Sequence, residues 1–139
     1  MIEQVHQHIV SELQQGSRTD TIFVVTAVVF NLIVLAINSA VAGEAASVRA
    51  SSSDDLVLAV FIIMSLLVNA IAVIALNYGK QTRNKLLNGL LAMYHDNDVS
   101  QYYDSSLLTN YAKRYLLFTG VILCLAITAI VVPLIIRIV

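Results

Sequence analysis

Long apolar stretches alternate with shorter polar segments along this chain. Three stretches contain no charged residue: 21–42, 56–76 and 115–136. At about 1.5 Å of rise per helical residue, the middle stretch covers roughly 31 Å, which matches the hydrocarbon thickness of a bilayer. The other two are of similar length. The pattern therefore predicts an all-α membrane protein with three transmembrane helices.

The N-terminal segment 1–16 is polar but periodic. Its apolar residues recur at helical spacing and would form one face of a helix. They are Ile2, Val5, Ile9, Val10 and Leu13. Gly16-Ser17 interrupts the pattern, and Thr19 or Asp20 can cap the next helix. We therefore predict a short amphipathic helix over 1–16, lying at the membrane interface or packed on a neighbouring cytosolic element.

The segment 77–114 is the largest polar part of the chain, and it is also periodic. Leucines and tyrosines form helical stripes on both sides of 95–98, and no proline interrupts them. We expect a helical cytosolic extension between the second and third spans, folded as an antiparallel hairpin in which Leu90 faces Tyr103. The alternative is that the first arm bends at Gly79 and lies flat on the inner leaflet.

Basic residues predict the orientation of the chain. Five of the eight lysines and arginines lie in 77–114, whereas 43–55 has only Arg49. Because short loops rich in Lys and Arg stay in the cytoplasm, 77–114 is predicted to be cytoplasmic. With three spans, we therefore predict a multi-pass protein of the cell membrane whose N-terminus is cytoplasmic and whose C-terminus is external.

Four polar residues lie within the first two spans. Asn31 and Asn38 are seven apart and share a helix face, as do Ser65 and Asn69, which are four apart. A polar side chain in hydrocarbon must find a partner, so these faces should point into protein or water. Two interpretations stay open: hydrogen bonds between helices, or the lining of a pore.

Two acids precede the second span. Asp54 and Asp55 suit the first turn of a helix, where they complement its dipole. In an oligomer, a ring of such acids at a pore mouth would also favour cations.

Composition limits the chemistry further. The chain has 139 residues, of which 58% are hydrophobic and 12% charged, and its net charge of −1 gives no reason to expect nucleic-acid binding. A lone cysteine, Cys124, permits no intrachain disulfide. His6 and His8 are two apart and point to different sides of a helix, so we predict no metal site.

Catalytic motifs are missing from the sequence. There is no phosphate-binding loop, no zinc-protease motif and no nucleophile elbow, and no ionisable acid or base lies within a span. We therefore predict a protein that is not an enzyme and needs no cofactor.

Two functional hypotheses remain, and we favour the first because identical copies are the simplest partners for three helices with polar faces. In the first, the chain forms a homo-oligomeric channel or membrane effector, with the Asn31/Asn38 or Ser65/Asn69 face toward the axis. In the second, it is a structural or accessory subunit of a larger membrane complex, with the cytosolic hairpin as its docking arm. Its partners would be the lipid bilayer and either copies of itself or other membrane subunits.

Overall fold

The structure, a computed structural model, describes residues 1–47 and 52–138, and that part of the chain is helical apart from short connections. Three long helices follow one another: α1 (Ile2–Ala45), α2 (Ser52–Asp96) and α3 (Ser106–Ile138), with a short 3₁₀ turn at Ser100–Tyr102. Each long helix is long and apolar enough to cross a membrane. The predicted all-helical chain with three such helices is therefore confirmed, and it fits a small membrane protein.

α1 is one continuous helix and includes Gly16 and Ser17, so the predicted break there does not occur. A single glycine costs a helix interior only about 1 kcal/mol. Contacts with α2 hold the first turns of α1 in line. His6 Nε2 lies 3.0 Å from Tyr94 Oη, and Arg83 Nη2 donates to the Leu13 carbonyl at 3.0 Å. The segment 1–16 is thus the start of α1, and its place at a membrane interface stays a prediction.

α2 is likewise unbroken through Gly79 and ends only at Asp96. The left-handed backbone of Asp98, with φ of 57°, turns the chain back. Val99 N–H donates to the Tyr94 carbonyl at 3.0 Å, and the rings of Tyr94 and Tyr103 lie 5.6 Å apart between centroids. The chain therefore reverses close to the predicted turn at 95–98, while its cytosolic position stays a prediction.

α3 begins well before its apolar stretch. Asp104 Oδ1 accepts a hydrogen bond from Ser106 N–H at 2.8 Å, which satisfies one free donor of the first turn. That bond holds the pKa of the Asp104 carboxyl below its usual value. Pro133 lies inside α3 without ending the helix.

α2 runs antiparallel to α1, and α3 runs parallel to α1. Hydrogen bonds between Asn31 and Asn69 join α1 to α2, and a hydrogen bond between Tyr115 and Asp20 joins α3 to α1. Small side chains let the helices approach closely in the core. That core contains Ala27, Ala72, Leu76, Tyr115 and Ile122.

Large apolar side chains cover the outside of the bundle. Ile22, Leu67 and Leu116 are 66%, 54% and 72% exposed. Such a surface suits lipid rather than water. The polar residues of the apolar stretches thus point inward together with a small apolar core, and most large apolar side chains point outward.

Candidate functional site

A reciprocal amide pair joins α1 and α2 in the middle of the bundle. Asn31 Nδ2 donates to Asn69 Oδ1 at 2.7 Å, and Asn69 Nδ2 donates to Asn31 Oδ1 at 2.9 Å. The two residues are only 1% and 4% exposed. Two of the four polar residues predicted from the sequence therefore meet each other within a single chain.

The same two amides also bond back to their own helices. Asn31 Nδ2 donates to the Ala27 carbonyl at 2.8 Å, and Asn69 Nδ2 donates to the Ser65 carbonyl at 2.7 Å. Both N–H groups of each amide are thus used. Ser65 is fully buried, and its hydroxyl accepts a longer contact of 3.4 Å from Asn69. The layer formed by Asn31, Ser65 and Asn69 is therefore a satisfied network, which fixes the register of α1 against α2.

Asn38 differs from the other three residues. Its side chain is fully buried, yet neither Nδ2 nor Oδ1 has a hydrogen-bond partner in the described part of the chain. α1 and α3 are parallel, and Asp20 lies beside Tyr115. Asn38 and Pro133 follow these two residues at the same distance along their helices, so they lie at one level, and Pro133 is also buried. Because proline has no N–H, the carbonyl of Ala129 loses its usual helical donor. An amide left unpaired in a core costs about 1–3 kcal/mol.

An apolar layer closes the bundle between the amides and the end where Asp20 lies. Ala27, Ala72, Leu76 and Ile122 are between 0% and 5% exposed and pack together. No polar side chain among the described residues bridges this layer. The polar groups inside one bundle are therefore separate and do not form a continuous path along its axis.

From the sequence, Asp20 is predicted only as a helix cap and Tyr115 only as the first residue of the third apolar stretch. In the structure the Tyr115 hydroxyl donates to Asp20 Oδ2, and the two residues are 8% and 6% exposed. Gly79 packs against the carboxylate so closely that a Cβ there would overlap it. Their positions in the sequence give one indication of this contact, since Asp20 directly precedes the first apolar stretch and Tyr115 begins the third.

The two acids before the second span lie in the first turn of α2. Asp55 forms a two-point ion pair with Arg137, at 2.8 and 3.1 Å, and joins the end of α3 to the start of α2. Both partners are partly exposed, so solvent screens the pair and it adds little to stability.

Metal-binding side chains do not cluster: no group of three or more His, Cys, Asp or Glu could hold an ion within 1–47 and 52–138.

No protein-family model, curated protein or solved structure matches this chain.

We predict that replacement of the paired and the unpaired asparagines has opposite consequences for stability. Asn31→Leu leaves Asn69 without its partner and should lower the free energy of unfolding by about 0.6–2 kcal/mol. Asn38→Leu removes two unpaired groups and should leave stability unchanged or raise it. Reversible unfolding of each variant in detergent micelles measures both values.

The double variant Asn31→Leu/Asn69→Leu is the control for coupling. Its loss should be clearly smaller than the sum of the two single losses, because no amide is left unpaired. Additive losses, or a loss at Asn38 as large as that at Asn31, would contradict the pairing.

Proposed function

We propose that this protein is a structural or accessory subunit of a larger membrane protein complex. The observation that carries the proposal is the Asn31–Asn69 pair, which satisfies the central span amides within one chain. The apolar layer of Ala27, Leu76 and Ile122 leaves no polar path through a single bundle. A closed, lipid-coated bundle is suited to anchoring and support rather than to transport.

The segments beyond the apolar stretches supply a docking arm. Near the turn between α2 and α3, Val99 and Tyr102 are 41% and 82% exposed, and Val5 on α1 is 45% exposed. These apolar and aromatic side chains lie outside the apolar stretches, where a protein partner can cover them. We propose that a partner subunit covers this tip.

A first prediction concerns transport and assembly. Protein reconstituted in liposomes should pass no ions under voltage, tension or added ligand. In detergent it should have the mass of one chain when its partner is absent, and it should copurify with that partner from its native membrane. Tyr102→Ser should abolish copurification, whereas Tyr78→Ser, the same change at a tyrosine 66% exposed elsewhere, should not.

Ion flux in the wild-type liposomes that Asn31→Leu abolishes while the assembly stays intact would contradict the proposal. It would favour a pore lined by that asparagine.

A homo-oligomeric channel or membrane effector is the second candidate, and one surface favours self-association. Gly120, Cys124 and Thr128 lie on successive turns of α3; Gly120 and Cys124 are exposed, and Thr128 is partly exposed. Small residues at this spacing let two helices approach closely in lipid. The Thr128 hydroxyl already donates to the Cys124 carbonyl at 2.9 Å, so it adds little polarity to that surface.

The lone cysteine tests this candidate directly. If copies pack through this surface of α3, oxidation in native membranes should link Cys124 of neighbouring chains into a covalent dimer. Gly120→Leu should reduce the dimer by blocking close approach, and Ile127→Leu is the matched control at a neighbouring exposed position. A chain that stays monomeric under oxidation counts against self-association on this surface.

For the orientation, we propose that 77–114 and the N-terminus are cytoplasmic and the C-terminus external, in the cell membrane. Support comes from the basic residues of 77–114. In a Cys124→Ser background, cysteine at Ser52 should react with an impermeant thiol reagent on intact cells, and cysteine at Asn97 should react only after lysis. The reverse labelling would invert the assignment.

A further inference from the structure

A cavity of about 320 Å³ lies between α1 and α2 at the level where the first apolar stretch begins. Its volume falls at the lower end of the range for small-molecule sites. Apolar side chains and charged or polar ones share its wall. The apolar part of the wall is formed by Leu13, Phe23, Ala75 and Leu86. The charged or polar part is formed by Glu12, Asp20, Thr82 and Arg83.

Asp20 is the buried carboxylate in this wall, and only one of its two oxygens accepts a hydrogen bond from the described residues. Its Oδ2 accepts one hydrogen bond, from Tyr115, while its Oδ1 accepts none from the described residues. Its carboxylate also forms no ion pair within the described ranges, although the residue is only 8% exposed. A buried carboxylate is costly unless a cation or several donors compensate its charge. Asp20 thus presents an unused acceptor to the cavity.

The guanidinium in the same wall is engaged elsewhere. Arg83 Nη2 donates to the Leu13 carbonyl at 3.0 Å, and its Cζ lies 4.7 Å from the centroid of the Tyr111 ring. Glu12, which also lines the cavity, forms no ion pair among the residues described. The wall therefore carries two carboxylates that form no ion pair among the described residues, and one guanidinium that is held by a carbonyl and a ring but keeps its charge.

We propose that this cavity binds an organic ammonium group through Asp20. An N–H of the ligand would donate to Oδ1, which gives a charge-assisted hydrogen bond. The rings of Phe23 and Tyr78 line the cavity and favour a cation near their faces. A bare metal ion suits the site poorly, because the space would hold about ten waters and its wall is partly apolar.

The ammonium has two possible sources with the same chemistry. A free alkylamine can enter from the aqueous side, where Glu12 lies. Alternatively, the ethanolamine headgroup of a lipid can reach the cavity, since Asp20 and Phe23 flank the start of the first apolar stretch. The apolar wall suits the carbon atoms of either ligand.

Calorimetric titration of the full chain in phosphatidylglycerol nanodiscs tests the proposal. Butylammonium should bind saturably, whereas butan-1-ol and butyl phosphate should not. Asp20→Asn keeps the size of the side chain but removes its charge, and it should weaken butylammonium binding about 10- to 100-fold. Asp96→Asn, the same change at an exposed acid away from the cavity, should leave binding unchanged.

A second pair of variants leaves Asp20 in place. Thr82→Phe should fill the cavity and abolish binding, and Gln81→Phe, at an exposed neighbour outside the cavity wall, should not. Adding phosphatidylethanolamine to the nanodiscs identifies the source. A weaker apparent affinity for butylammonium supports the lipid headgroup as occupant, and an unchanged affinity supports a free amine.

Three results would overturn the proposal. The first is equal binding of butan-1-ol, which would mean that charge plays no part. The second is butyl phosphate binding in place of butylammonium, which would assign the cavity to anions through Arg83. The third is no butylammonium binding by the wild type in phosphatidylglycerol nanodiscs.

Discussion

Polar side chains inside a bundle with an apolar surface must hydrogen-bond to one another, because hydrocarbon offers them no partners. Asn31 and Asn69 meet that requirement by pairing with each other and with their own helices. The pair sets the register of α1 against α2. In that register Gly79 packs against Asp20, and Ala27 of α1 and Ala72 of α2 lie in the same core cluster.

Two residues depart from this rule, and they lie at opposite ends of the interior. Asn38 is fully buried with an unpaired amide, so it is a source of instability. Asp20 has one hydrogen bond and a free oxygen beside a cavity, so it is open to a ligand. Between them lie the hydrogen-bonded pair of Asn31 and Asn69 and, on its Asp20 side, an apolar layer that contains Leu76 and Ile122. The hydrogen-bonded centre of the bundle is thus separate from the cavity beside Asp20, where we propose that an ammonium group binds.

The three helices could be predicted from sequence because long uncharged stretches have few alternatives to a membrane span. The continuity of α1 through Gly16 could not be predicted. The small cost of a glycine there is offset by the contacts of His6 and Leu13 with α2, which only the packing reveals. Spacing identified Asn31 and Asn69 as inward-facing residues. It could not choose between pairing and pore lining, because that depends on which helix lies opposite. Asp20 and Tyr115 meet only through the packing of α1 on α3.

Asn31 and Asn69 are proposed to satisfy each other within one chain. Solid-state NMR of membrane samples can measure the dipolar contact between the side-chain amides of Asn31 and Asn69. The account predicts a contact that keeps its strength per labelled chain when labelled protein is diluted into an excess of unlabelled protein. A contact that is absent, or that fades on dilution, would place the partner of Asn31 in another chain and contradict the account.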